Sequence, residues 1–168
     1  MPISAEEVVD VLDRLEAAGV EASVAGGWAV DALLGRVTRE HGDLDLAIDA
    51  SEIDHAIEAL DAGGLSVEVD ERPARLALGD GRRSVDLHPV RWEADGTGRQ
   101  STGAGGEFVY PPGSSRAVGR IGSRDVRCLT PELLVTFHLG YEPRDIDRND
   151  MAALAERYGL ELPEPYRG

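Results

Sequence analysis

Apolar positions along this chain follow two periods, and each change of period marks an element. Behind Ser4, residues Val8, Val9, Leu12 and Leu15 recur at helical spacing. Ser4 and Glu7 stand three apart, as the reciprocal bonds of a capping box require, and Gly19 stops the helix. Residues 21–25 read as a short strand entering Gly26-Gly27, and residues 28–34 as a helix closed by Gly35. Strict alternation returns over 43–49, with Leu44, Leu46 and Ile48 on one face and Asp43, Asp45 and Ala47 on the other. Ser51 then caps a helix through Ala62, with Ile53, Ala56, Ile57 and Leu60 inward and Gly63-Gly64 at its end. Strands are expected over 65–69, 74–78 and 84–90, with Gly79-Asp80-Gly81 as a hairpin turn. Residues 91–106 shift to glycine, threonine and charge, which predicts a mobile loop. Strands follow over 107–110, 117–121 and 124–129. Thr130-Pro131 sits at the start of a helix ended by Gly140, and a last helix covers about 147–158. A strand-rich middle between helical ends predicts an α+β fold with a mixed sheet flanked by helices.

The alternation at 43–49 carries chemistry, because it puts Asp43 and Asp45 on one face. Two carboxylates about 4 Å apart repel by roughly 4 kcal/mol at a surface-like dielectric, so a pair held together calls for a cation. Hard divalent ions accept carboxylate oxygens and keep positions open for phosphate. Gly26 and Gly27, just ahead of a helix, supply what phosphate needs: free amides, no Cβ in the way and a favourable dipole. A third acid, Asp86, lies on the 84–90 strand with His88, on the face opposite Val85 and Leu87. If that strand neighbours 43–49, three carboxylates converge. Such a set suits two ions that clamp the attacking and leaving oxygens of a displacement at phosphorus. Taken singly, each feature also fits a solvated strand face or a tight strand-to-helix turn.

The ordered set is more specific. GGW at 26–28, R-x-T-R-x-H at 36–41 and D-x-D at 43–45, within one βαβ-sized unit, resemble the nucleotidyltransferase superfamily related to DNA polymerase β. They resemble its small antibiotic-modifying branch in particular, the lincosamide and aminoglycoside nucleotidyltransferases. RPARLAL at 72–78, DLHPV at 86–90, GGEFVYP at 105–111, RCLTPE at 127–132 and FHLGY at 137–141 are similar to the lincosamide enzymes, extending the resemblance over about residues 20–155. It implies a polymerase β-like core over 1–92 and a C-terminal loop, hairpin and helical acceptor-binding region over 93–168. It implies that Asp43 and Asp45 bind Mg2+, two ions in all, together with the triphosphate. Asp86 would hold the catalytic ion and act as general base. Gly26 and Gly27 would bind the nucleotide with Arg36 or Arg39, and Arg75, His88, His138 and Tyr141 would lie near nucleotide or acceptor. ATP is the expected donor, with another nucleoside triphosphate open. The expected acceptor is a hydroxyl of a small molecule: a lincosamide first, an aminoglycoside second. The second stays open because Asp145, Asp147 and Asp150 could line an acidic pocket for a polycation. The resemblance also implies a homodimer sharing the acceptor pocket, the C-terminal region being short for enclosing a substrate alone.

Charge narrows the partners. Over 168 residues the net charge is −15, and all 17 basic residues are arginine. Long nucleic acids demand a basic footprint and are excluded, and any triphosphate clamp must be arginine. No apolar run reaches membrane-spanning length, the acidic opening MPISAEEVVD is no signal peptide, and the single Cys128 cannot form an internal disulfide. A reducing cytoplasm is therefore expected. Two rival functions are a minimal nucleotidyltransferase that modifies a protein or RNA partner, of the toxin–antitoxin type, and a non-catalytic nucleotide-binding module. The complete set of three acids counts against the second.

Overall fold

The computed structural model describes residues 1–167, in the order α1 (Ala5–Ala17), β1 (Ala22–Ala25), α2 (Gly26–Leu34), β2 (Leu44–Asp49), α3 (Ile53–Asp61), β3 (Ser66–Glu71), β4 (Arg75–Gly79) and β5 (Ser84–Trp92). There follow β6 (Gly98–Ser101), β7 (Glu107–Tyr110), β8 (Ala117–Ile121), β9 (Arg124–Cys128), α4 (Pro131–Phe137) and α5 (Asp145–Tyr158). The strands build one mixed sheet in the order β3-β4-β5-β2-β1-β9-β8, with β6 on β5 and β7 on β6. Its centre positions the site. β1 runs antiparallel to β2, β2 runs parallel to β5, and β9 runs parallel to β1. Strands from both sides of residue 92 thus share the sheet.

The alternation read at 43–49 sets the sheet's two faces. Leu44, Leu46 and Ile48 are buried with Val85 and Leu87 of β5 and Leu76 and Leu78 of β4. They belong to one core with Val8, Val11, Leu12 and Leu15 of α1 and Ile53, Ala56 and Leu60 of α3. Burying each such side chain contributes about 1.5–3 kcal/mol, which fixes the register and so turns Asp45 to the opposite face. In α1 Val11 is buried along with Val8, Leu12 and Leu15, while Val9 is half-buried, and the Ser4–Glu7 capping box forms in both directions.

Three sequence expectations are corrected. Residues 91–106 are not one loop: β5 extends to Trp92, and β6 pairs with β5 and β7. This strand is held by close packing and cross-strand charge that hydrophobic periodicity does not show. A Cβ on Gly98 would lie 2.5 Å from the Trp92 ring, and Arg99 pairs with Glu93 and Glu107. Second, α5 starts at Asp145, two residues early, because the Asp147 carboxylate accepts from the Arg144 backbone N–H and side chain. Third, the helix entered by Thr130-Pro131 ends at Phe137, before Gly140. Among the described residues no helix is long and apolar enough to cross a membrane, and Cys128 is a buried free thiol.

Candidate active site

β1 delivers the chain to a turn directly across from Asp45, with Ala25 and Asp45 in register. Gly26 takes φ +59°, and a Cβ there would run into the Asp45 carboxylate. Glycine is therefore required twice, by backbone conformation and by space. α2 begins at this turn without a side-chain cap from Ala25 and without an acidic residue in its first turn. Its first amides keep no side-chain partner at the end of the helix that favours anions.

Across β2 and β5, Asp45 and Asp86 are also in register on neighbouring parallel strands. Asp43 stands just before β2 and is exposed. The three carboxylates feel one another. The Asp43 pKa is raised by desolvation first, then by Asp45 and Asp86; that of Asp86 is raised by desolvation and then by Asp45. Arg75 Nη1 donates to Asp86 Oδ2 at 3.1 Å, and Arg75 also pairs with Glu71. Among the described residues no three His, Cys, Asp or Glu side chains form a ready-made metal cage. The donors here are carboxylate oxygens in an open array, which fits a hard ion that keeps waters and takes phosphate oxygens.

A polar frame braces the glycine turn. A Cβ on Gly27 would lie 2.5 Å from both Arg39 Nη2 and His41 Nδ1. Arg39 is held there by Asp150 of α5, Nη2 to Oδ2 at 2.8 Å and Nε to Oδ1 at 3.3 Å. His41 is buried, its Nε2 2.6 Å from Asp31 Oδ2 and its ring centroid 4.7 Å from that of Trp28. Asp31 also accepts from the backbone N–H and the hydroxyl of Thr38. The four side chains Asp31, Thr38, Arg39 and His41 thus tie the loop between α2 and β2 to the helix start.

On the other side, His88 Nε2 lies 2.9 Å from Asp45 Oδ1, and its Nδ1 lies 3.2 Å from Gln100 Nε2. A groove of about 380 Å³ opens along the same sheet face, lined by Ser23, Ala47, Asp49, Trp92, Ser115 and Arg116 among others.

The expected site residues therefore divide. Gly26, Gly27, Arg39, Asp43, Asp45, Arg75, Asp86 and His88 come together around the sheet centre. Arg36 is exposed beyond the end of α2. The contacts of His138 are within the C-terminal segment: Nδ1 meets the Leu134 carbonyl at 2.6 Å, Nε2 lies 4.0 Å from Asp147, and its carbonyl accepts from Tyr166. Tyr141 is exposed beside it. Sequence reasoning missed Gln100 and Tyr110, which lay in or beside the supposed loop, and the part of Asp150 as the anchor of Arg39. Periodicity carries no signal for any of them.

The aminoglycoside-2''-adenylyltransferase family model matches residues 7–154. The chain belongs to that family. This adenylyltransferase family member is 30% identical to a lincosamide resistance protein of Staphylococcus haemolyticus over 153 residues, 90% of this chain and 94% of the relative. It is 32% identical over 124 residues to a 2''-aminoglycoside nucleotidyltransferase of Escherichia coli, covering 70% of this chain and 63% of that relative. Its fold matches the lincomycin-bound lincosamide antibiotic adenylyltransferase LnuA with a TM-score of 0.81 at 29% identity, over 94% of this chain and 99% of LnuA. The aminoglycoside enzyme ANT(2'')-Ia, solved with adenylyl-2''-tobramycin, shares the fold with a TM-score of 0.70 at 23% identity, over 90% of this chain and 87% of that one. The protein is a nucleotidyltransferase with the expected α+β fold.

Proposed function

We propose that the protein transfers AMP from ATP to a hydroxyl of a lincosamide antibiotic. The observation that carries this reading is the pairing of Asp45 with Asp86 across β2 and β5, beside Asp43 and under the Gly26 turn. The uncapped start of α2 would receive the triphosphate on its amides, with Arg39 beside Gly27 as the cationic partner. Asp43, Asp45 and Asp86 would hold Mg2+, which when bound neutralises phosphate charge and makes the acceptor hydroxyl more acidic. The hydroxyl oxygen bonds to the α-phosphorus as the bond to pyrophosphate breaks, and its proton passes to the Asp86 carboxylate. In the metal-free site desolvation raises the Asp86 pKa, which opposes the lowering that a bound cation would bring. The remaining contribution is positioning and charge stabilisation, the usual source of rate in phosphoryl transfer.

Two observations favour a lincosamide over an aminoglycoside. The lincosamide relative is matched over nearly its whole length, the aminoglycoside relative over 63% of its length. Within the chain, the acid cluster that could have received a polycation is largely occupied. Asp147 is buried and bonded to Arg144, Asp150 is buried and bonded to Arg39, and only Asp145 is exposed. The test is mass spectrometry of lincomycin, clindamycin and an aminoglycoside panel after incubation with protein, Mg2+ and each nucleoside triphosphate, with Asp43→Asn as the blank. An added AMP on a lincosamide, absent with the variant, is the expected result. An adduct confined to aminoglycosides would replace the acceptor, and no adduct on any drug would overturn the reading.

A further inference from the structure

The hydrogen bonds behind Asp45 run in one direction. Tyr110 is buried, and its phenol is kept protonated by desolvation first and by the Asp45 charge second. Its O–H lies 2.5 Å from Gln100 Oε1, and donation there turns the Gln100 amide so that Nε2 donates to His88 Nδ1 at 3.2 Å. A ring nitrogen that accepts carries no proton, so the neutral imidazole carries its proton on Nε2. That N–H donates to Asp45 Oδ1 at 2.9 Å. With the amide reversed, the buried Tyr110 O–H would lose the acceptor it has in Gln100 Oε1, and a His88 protonated on Nδ1 alone would turn a bare Nε2 on the carboxylate, two acceptors face to face. The chain passes from β7 through β6 and β5 to β2. Gln100 is itself buried, so its amide needs these partners.

We propose that Tyr110 and Gln100, acting through His88, are positioning residues for the Asp45 carboxylate: Oδ1 is anchored to the imidazole while Oδ2 faces the Gly26 turn. The need for an anchor follows from the site's own electrostatics. Asp45 stands between two other carboxylates and, unlike Asp86, has no arginine bonded to it among the described residues. Left free, its cheapest response to that repulsion is to rotate away. Fixing one oxygen by a neutral donor holds the other in place without adding the positive charge that would compete with a metal ion. The residues that do this stand on β6 and β7, outside the motif that carries the acids. This inference rests on the proposed role of Asp45 at the donor phosphates.

The test pairs a spectroscopic readout with kinetics. Side-chain 15N NMR of the 4 histidines, with His88 assigned by the signal lost in His88→Gln, is expected to show His88 protonated on Nε2 and bare on Nδ1. Gln100→Met, which keeps length and packing, should disturb that pattern. It should lower kcat about 10- to 100-fold with little change in KM for the drug, the usual cost of losing an outer-shell partner. Tyr110→Phe keeps its ring contacts with Trp92 and Phe137 and should cost about five-fold, the loss of one neutral hydrogen bond. Circular dichroism melting confirms that each variant is folded. A His88 protonated on Nδ1 in the parent, or a folded Gln100→Met with parental kcat, overturns the proposal. If the parent adenylylates nothing, the functional reading fails separately, and the NMR pattern and its loss in Gln100→Met still decide the network.

Discussion

At the scale of single residues, the glycine turn and the carboxylates make opposite demands on stability. Gly26 combines a left-handed φ with a side-chain position already filled by the Asp45 carboxylate. Gly26→Ala should therefore cost about 1–3 kcal/mol in backbone strain and displace Asp45 as well. Thermal denaturation should show a lower Tm, and the mass-spectrometric assay no transfer. A parental Tm would mean that the turn tolerates a side chain. Asp43 is the reverse case. Its pKa is raised by desolvation, Asp45 and Asp86, so its ionised form costs more in the folded chain than in the unfolded one. The native state then binds the proton more readily, and stability falls as pH rises through the raised value. Without metal, Asp43→Asn should melt higher than the parent at neutral pH. The gain should fade as pH drops through the raised pKa toward the ordinary carboxylate value, where both states hold the proton. The same substitution should abolish transfer, so that the residue costs stability where it serves chemistry. A lower Tm for metal-free Asp43→Asn would show that the acids do not strain the fold.

At the scale of elements, the Arg39–Asp150 pair joins α5 to the side of the glycine turn. Asp150 is almost fully buried, and Arg39 is held against Gly27 by it. Asp150→Ala should cost about 1.5–3 kcal/mol, as for a hydrogen bond to a charged group. It should also raise KM for the nucleotide more than KM for the drug, because it frees the cation proposed for the triphosphate. Equal effects on the two constants would place Arg39 outside the donor site. The hairpin between β4 and β5 carries a purely structural counterpart. There the Asp80 carboxylate accepts from the backbone N–H groups of Arg82 and Arg83 and from the Arg83 side chain, which hold its pKa at about 2. A depressed carboxyl contributes stability above its unfolded pKa and loses it as pH falls through the folded one. Asp80→Asn should thus melt below the parent at neutral pH, by no more than about 1 kcal/mol for so exposed a site, with the gap closing toward pH 2. A gap that holds or widens in acid would refute that assignment. Elements were legible in the sequence where one face is buried, as in β2 and α1. The strand β6 was hidden because its residues are polar and its packing depends on Gly98 fitting under Trp92. Strand β3 sits at the sheet edge with every residue exposed, and its register slips at Val67–Val69.

At the scale of the whole molecule, the order of motifs revealed the fold, and the sheet then did what sequence could not. It put Asp86 beside Asp45 across 41 positions of chain, through a parallel pairing that no local pattern encodes. The acceptor was less legible, because which acids are already paired is decided by the fold and not by local pattern. Asp147 and Asp150 looked available for a polycation and are held by Arg144 and Arg39. The global charge leads to the last prediction. A protein of net charge −15 repels a polyanionic nucleotide at long range, and three carboxylates repel it again at the site. One arginine and a helix start offset only part of this, each contributing on the order of 1 kcal/mol. On the proposed reading, the remainder would come from divalent cations held by Asp43, Asp45 and Asp86. Calorimetric titration with ATP after chelation should accordingly show affinity at least about ten-fold weaker, an electrostatic difference of roughly 1.4 kcal/mol. Transfer should vanish and return when Mg2+ is added. Monovalent salt at equal ionic strength should not substitute, because it screens charge without bridging carboxylate to phosphate. Equal ATP affinity with and without the metal would mean that the nucleotide binds away from Asp43, Asp45 and Asp86.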